Sequence, residues 1–109
     1  MEYKVIIAAL KPHVTDQVVA AAKACGISGA TIIPGRGTGT GEARTFLGLT
    51  LEAQTDLVIF LTEDELVDPV MAAIVTAGRL DEHGTGVVFV LAVERVAGIK
   101  EEIVRQKPD

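Results

Sequence analysis

The chain of 109 residues contains no tryptophan, one tyrosine and three phenylalanines. Its core must therefore be built mostly from Val, Ile, Leu and Ala. The lone cysteine, Cys25, rules out an internal disulfide and a cysteine-cluster metal site. It ends the apolar run AAAKAC and is expected to be a buried thiol. Positive charge is in short supply. Ten Lys and Arg against fifteen Asp and Glu leave a net charge of −5, which argues against general nucleic-acid binding by phosphate neutralisation. No apolar run approaches the roughly 18–20 residues that crossing a bilayer requires. The start, MEYKVIIAALKP, lacks a signal peptide's basic segment and cleavage site. A cytoplasmic protein with no membrane insertion is expected. Catalytic groups are missing as well. The single serine, Ser28, is in no nucleophile elbow, and His13 and His83 lack metal-ligand spacing. No set of side chains is suited to general acid–base work, so an enzyme is not expected.

What is present fits one domain over residues 1–109. The runs 3–10 (YKVIIAAL), 56–62 (DLVIFLT) and 87–93 (VVFVLAV) are continuous, apolar and rich in β-branched residues, as buried strands are. Residues 15–25 place Val18, Ala21, Ala22 and Cys25 at helical spacing, with Thr15 as N-cap, Asp16 in the first turn and Gly26 at the C-terminal turn. Residues 27–34 form a further strand, and 45–52 alternate like one. The acidic Glu63-Asp64-Glu65 suits the start of a second helix, with Pro69 in its first turn and Gly78 at its end. Residues 79–86 are a polar loop. The tail from about 95 to 109 is charged, with a short amphipathic piece around VAGIKEEIV. This order predicts an α+β, ferredoxin-like βαββαβ fold, a four-stranded antiparallel sheet with two helices on one face. The other face would be apolar and uncovered, which predicts a homo-oligomer.

The stretch 33-IPGRGTGTGEAR-44 puts Gly35, Gly37, Gly39 and Gly41 at two-residue spacing. A nucleoside-triphosphate loop would need Lys-Ser or Lys-Thr where Glu42-Ala43 stand. A dinucleotide fingerprint would need a helix next, and TFLGLTLE alternates instead. An anion-binding nest of backbone N–H groups, a tether and a hairpin excursion all remain open. Gly84-Thr85-Gly86 repeats the Gly-x-Gly element before the last strand, so the two elements can border one pocket, even across a subunit boundary. The acids 63–65 also allow a divalent cation, so a trimeric metal-binding protein of the cation-tolerance type is the alternative.

The ordered set of pieces resembles the PII signal-transduction family over about residues 3–99. They are Lys11-Pro12, Gly26-Ile27, Thr31, Gly35-Arg36-Gly37, Glu65-Leu66-Val67-Asp68, Ala77-Gly78, and Gly84-Thr85-Gly86 with VVFVLAVE after it. The resemblance implies a homotrimer that binds an adenine nucleotide in clefts between subunits and regulates a transporter or enzyme through a mobile T-loop. Carried over by position, Thr31 and the backbone near Thr62 would meet the adenine. Gly35, Arg36 and Gly37 would form the T-loop base at the phosphates, and Gly84, Thr85, Gly86 and Val87 the phosphate turn. Thr38, Gly39, Thr40, Gly41 and Arg44 would belong to the signalling loop, an excursion at about 36–55. That loop is short and lacks the family's modifiable Tyr or Ser. The family's cations are also absent: Val87 replaces the basic residue after the phosphate turn, the Lys before the third strand is replaced near Asp56, and the paired arginines after the last strand are missing, with only Arg95 and Lys100 nearby. Each lost cation removes a charge-assisted phosphate contact. The implied ligand is therefore ADP or AMP rather than ATP, with no resident cofactor.

Overall fold

A computed structural model of the chain describes residues 2–37, 44–46, 49–51 and 53–99. The elements run β1 (Tyr3–Leu10), α1 (Pro12–Ala24), β2 (Thr31–Gly37), β3 (Arg44–Phe46), β4 (Leu49–Leu51) and β5 (Ala53–Glu63). A short 3-10 turn (Asp64–Leu66), α2 (Val67–Gly78) and β6 (Gly86–Ala92) follow. The main sheet has the order β2-β5-β1-β6, all antiparallel, while β3 and β4 pair separately. With both helices on one face, this is the ferredoxin-like arrangement that the sequence predicts.

The two central strands set the layers. β1 pairs with β5 from Tyr3↔Glu63 to Leu10↔Asp56. Ile6, Ala8 and Leu10 point one way together with Val58 and Phe60, and all five are buried. Each helix supplies a stripe at four-residue spacing: Val14, Val18 and Ala22 from α1, and Val70, Ile74 and Gly78 from α2. Fully burying side chains of this size stabilises by about 1.5–3 kcal/mol each. The opposite face carries Val5, Ile7, Ile33, Leu57, Ile59, Val87, Phe89 and Leu91 by register. Nothing among the described residues covers it: Phe89 is 43% exposed and Val87 53%.

Several local expectations change. Helix α1 begins at Pro12, where a missing N–H is harmless, with Lys11 as N-cap. Thr15 is therefore inside the helix and caps nothing. It is buried, and its Oγ1 donates a 2.7 Å hydrogen bond to Asp56 Oδ2 on β5. Asp16 consequently falls outside the first turn, which has no acid. Gly26 does close the helix, at φ 115°. Cys25 is only half-buried. β2 starts at Thr31, four residues later than expected, and extends to Gly37 because 53–55 of β5 supply partners for its backbone. Residues 45–52 are not one strand. β3 turns back on β4, with Phe46 opposite Leu49; a period of two marks a strand but not where it reverses. Of the amphipathic piece at the tail, 96–99 have no regular structure, and 100–109 lie outside the described residues.

Gly78 does not serve as the left-handed closing residue of α2. Arg79 takes that conformation at φ 58°. Leu80 N–H donates to the Val75 carbonyl and Arg79 N–H to that of Thr76, a Schellman closure. A non-glycine residue in this region costs roughly 1–2 kcal/mol. Gly78 is needed elsewhere: a Cβ there would lie 3.2 Å from Val18 Cγ2 and 3.3 Å from Leu80 Cδ2. The glycine lets α2 approach α1, and Gln17 Nε2 then donates to the Ala77 carbonyl at 2.8 Å. Gly78→Val is accordingly expected to destabilise the fold by about 1–3 kcal/mol through overpacking, read as a lower midpoint in urea with an unchanged slope.

At the opposite end of the helical layer, Lys4 Nζ sits 2.7 Å from Asp64 Oδ1 and 3.6 Å from Glu2 Oε1. The hydrogen bond that Lys4 donates to Asp64 is the main reason the Lys4 pKa is raised above 10.5. Its stabilisation is thus fully present below pH 10.5 and fades as pH climbs through the raised value. Lys4→Met should lower stability at neutral pH and make the alkaline arm of the stability–pH curve shallower, because the loss on Lys4 deprotonation is gone, read as urea midpoints against pH.

Candidate functional site

A cleft of about 580 Å³ opens beside the start of β2. One wall is the loop from Gly26 to Ala30 with Thr31, the other is Leu61, Thr62 and Leu66, and Ile99 closes one side. The sequence placed Thr31 and Thr62 together, and the fold puts both on this cleft. Thr31 is exposed on an edge strand, opposite Ile59. Thr62 is 4% exposed, and its Oγ1 donates to the Glu63 carbonyl at 3.2 Å. Leu66 and Ile99 were missed by sequence reasoning. Leu66 stands in the Glu65-Leu66-Val67-Asp68 piece without a site role and Ile99 in no piece, and only tertiary packing brings these apolar side chains to the cleft.

The two Gly-x-Gly elements occupy the other end of the sheet. Gly35, Arg36 and Gly37 are strand residues paired with Thr55, Gln54 and Ala53, not a free turn. A Cβ at Gly37 would lie 3.0 Å from Thr55 Oγ1, so glycine here permits close strand pairing. Gly84-Thr85-Gly86 is a true turn, with Gly84 at φ 79°. A Cβ on Gly86 would collide with the Ala9 carbonyl oxygen and lie 3.1 Å from Leu80 Cδ2. The Thr85 hydroxyl is directed inward, at 2.7 Å from the Arg79 carbonyl and 2.8 Å from that of Glu82. It fastens the loop, and its proton is committed there. Arg79 Nε to Glu82 Oε2, 3.2 Å, is a further exposed tie. Val87 lies in β6 opposite Ala9, on the open face. His83 is exposed in the loop.

Because β2 and β6 are the two edges of the sheet, the glycine elements stand three strand spacings apart, roughly 14 Å. Thr62 pairs with Lys4 and Gly86 with Leu10, so the cleft and the Gly84-Thr85-Gly86 turn are about six residues, or roughly 20 Å, apart along β1. One chain therefore does not gather all the expected residues into one pocket. Of the loop residues, Thr38, Gly39, Thr40 and Gly41 lie outside the described residues, and Arg44 opens β3 opposite Leu51. Among the described residues no group of three His, Cys, Asp or Glu side chains could hold a metal ion. No helix among them is long and apolar enough to cross a membrane.

The family model described as Nitrogen regulatory protein P-II matches residues 3–103. The chain belongs to the P-II family. Among curated relatives, the nitrogen regulatory protein P-II of Haemophilus influenzae is 34% identical over 102 residues, and that of Rhodobacter capsulatus is 31% identical. Each alignment covers 89% of this chain and 91% of the relative. Among solved structures, Arabidopsis thaliana PII bound to citrate superposes with a TM-score of 0.67 at 25% identity. That alignment covers 84% of this chain and 78% of the other. P-II membership leaves the cation-tolerance alternative without support.

The Gly86 geometry makes a direct prediction. Gly86→Ala must push the β6 entry away from Ala9, and it should destabilise the fold by more than 1 kcal/mol, on the order expected where alanine meets an incompatible backbone. Gly84→Ala meets no neighbour and should cost only the strain of its positive φ, on the order of 1 kcal/mol. Thermal melts of the two variants side by side test the order.

Proposed function

We propose that this P-II protein is a homotrimeric regulator that binds an adenine nucleotide between subunits, ADP or AMP in preference to ATP. Occupancy would pass to a partner, a membrane transporter or an enzyme, through residues 36–55. The observation that carries the reading is the open apolar sheet face, with the cleft at one end of the sheet and the glycine elements at the other. A face with Ile33, Val87, Phe89 and Leu91 exposed is a surface for association. Packing copies on that face is the way to bring the cleft of one next to the glycine elements of another. The cleft is largely apolar, with Thr31 and backbone groups at its wall, and suits a flat heterocycle. The glycine elements let backbone N–H groups approach an anion. The Arabidopsis relative was solved with citrate, itself a small polyanion.

The preference for fewer phosphates follows from the short supply of cations around the turn. Signalling follows from order. Ligand contacts at 35–37 would favour one conformation of the segment that continues from them, and a partner that prefers that conformation reads the occupancy.

Titration calorimetry with AMP, ADP, ATP and cyclic AMP tests the ligand. Heat with at least one is expected, and none with any of the four sinks the reading. Arg36→Ala should weaken the bound nucleotide by about tenfold, the range of a lost charge-assisted hydrogen bond. Phe89→Glu tests the assembly: sedimentation should move from trimer to monomer, with nucleotide binding lost alongside.

A further inference from the structure

β6 ends at Ala92, opposite Lys4, on the far edge of the sheet from β2. The next residue, Val93, donates its N–H to the Tyr3 carbonyl at 3.3 Å. At the other end of the segment, Ile99 stands in the wall of the cleft with Thr31, Ile59 and Leu61. Residues 93–99 therefore run across the end of the sheet, past β1 and β5, from the β6 edge toward the β2 edge. Three strand spacings are roughly 14 Å, and seven extended residues reach roughly 23 Å, so the span is within range. The fastening is light. Among the described residues, no hydrogen bond or ion pair holds 94–99 beyond the Val93 bond. Residues 94–98 are exposed, and Ile99 is half-buried. Gly98, at φ 93°, turns the chain just before Ile99. A segment held mainly by one half-buried apolar side chain opens locally at little cost.

We propose that residues 93–99 are a strap that closes on the ligand in the cleft through Ile99, so that occupancy is read at the C-terminal side of the chain as well as through residues 36–55. The inference rests on the nucleotide reading above and adds a second moving part to it. The direction of the coupling follows from size. With Ile99 in place the cleft measures about 580 Å³, within the range of roughly 300–1,000 Å³ that holds small ligands. Ile99 need not leave for a heterocycle to enter. It gains contact with the ligand instead, and the apolar area so buried strengthens the strap's attachment. The ligand thus binds the fastened form better than the released one and shifts the population toward it. A strap with a purely structural role is equally fastened whether the cleft is empty or full. The tail that starts at residue 100 is the covalent continuation of this strap.

The strap carries its own reporter, Arg95, which is exposed and is the one trypsin site between 93 and 99. Cleavage after Arg95 requires the residues on either side to come away from the sheet, so its rate follows the population of the released form. The test is limited trypsin digestion of the full chain, read by mass spectrometry beside calorimetry with AMP, ADP, ATP and cyclic AMP, for wild type, Ile99→Ala and Ile99→Leu. In wild type, the nucleotide that binds most tightly should slow the Arg95 cut by about fivefold or more. Ile99→Ala should speed the cut in the empty protein, lose most of the protection and weaken the nucleotide by about tenfold, the worth of three half-buried carbons. Ile99→Leu keeps an apolar contact and should retain both. Ile99 lies outside the buried core, so thermal melts of the empty variants should match wild type. Nucleotide heat with an unchanged or faster Arg95 cut, with full protection in Ile99→Ala, or with no cut in the empty wild type overturns the strap while the nucleotide reading stands. No heat with any of the four nucleotides overturns both.

Discussion

The pairing of β1 with β5 runs unbroken from Tyr3↔Glu63 to Leu10↔Asp56, and it assigns a side to every residue of the sheet. Strand side chains alternate, so a slip of one residue would exchange the two faces. In the observed register Ile6, Ala8, Leu10, Val58 and Phe60 meet the helices, and Val5, Ile7, Leu57 and Ile59 face away. Both sets are apolar. The two helices among the described residues cover one of them, and the second remains as a demand on the surroundings. That demand shapes what the molecule can be. A sheet apolar on both faces is at home in an assembly.

The parts legible in the sequence were those written locally. The three apolar runs with β-branched centres need no partner to be recognised as strands, and the stripes of α1 and α2 announce themselves by spacing. Thr15 shows where that stops. A threonine before an apolar stripe has the chemistry of a cap, and the same hydroxyl serves equally well to hold a carboxylate 41 residues away. Only the fold decides between them. Gly78 was misread for a similar reason. Glycine at a helix end is expected to adopt positive φ, but here it makes room for Val18, and Arg79 takes the strain. The start and end of β2 depend on which residues of β5 lie opposite, which is likewise not local information.

For the site, the two glycine elements stood out by their spacing and Thr31 and Thr62 by resemblance. Their separation into two ends and two edges follows from strand order alone. β2 and β6 enclose the sheet, so whatever is attached to them cannot meet across it without bridging β5 and β1. Leu66 and Ile99 carried no signal for the cleft because a cleft wall needs only apolar surface, and half of the chain can supply that.

Leu80 touches both of the places where a Cβ is forbidden. Its Cδ2 would lie 3.3 Å from a Cβ on Gly78 and 3.1 Å from one on Gly86. The leucine thus fills a slot cut by two glycines, one ending a helix and the other beginning a strand. A smaller residue at 80 would ease an alanine at Gly78 but not at Gly86, where the Ala9 carbonyl is in the way, and it would leave a void between helix and strand. Leu80 is thus the hinge pin between the end of α2 and the entry of β6, and a change in its size is felt at both.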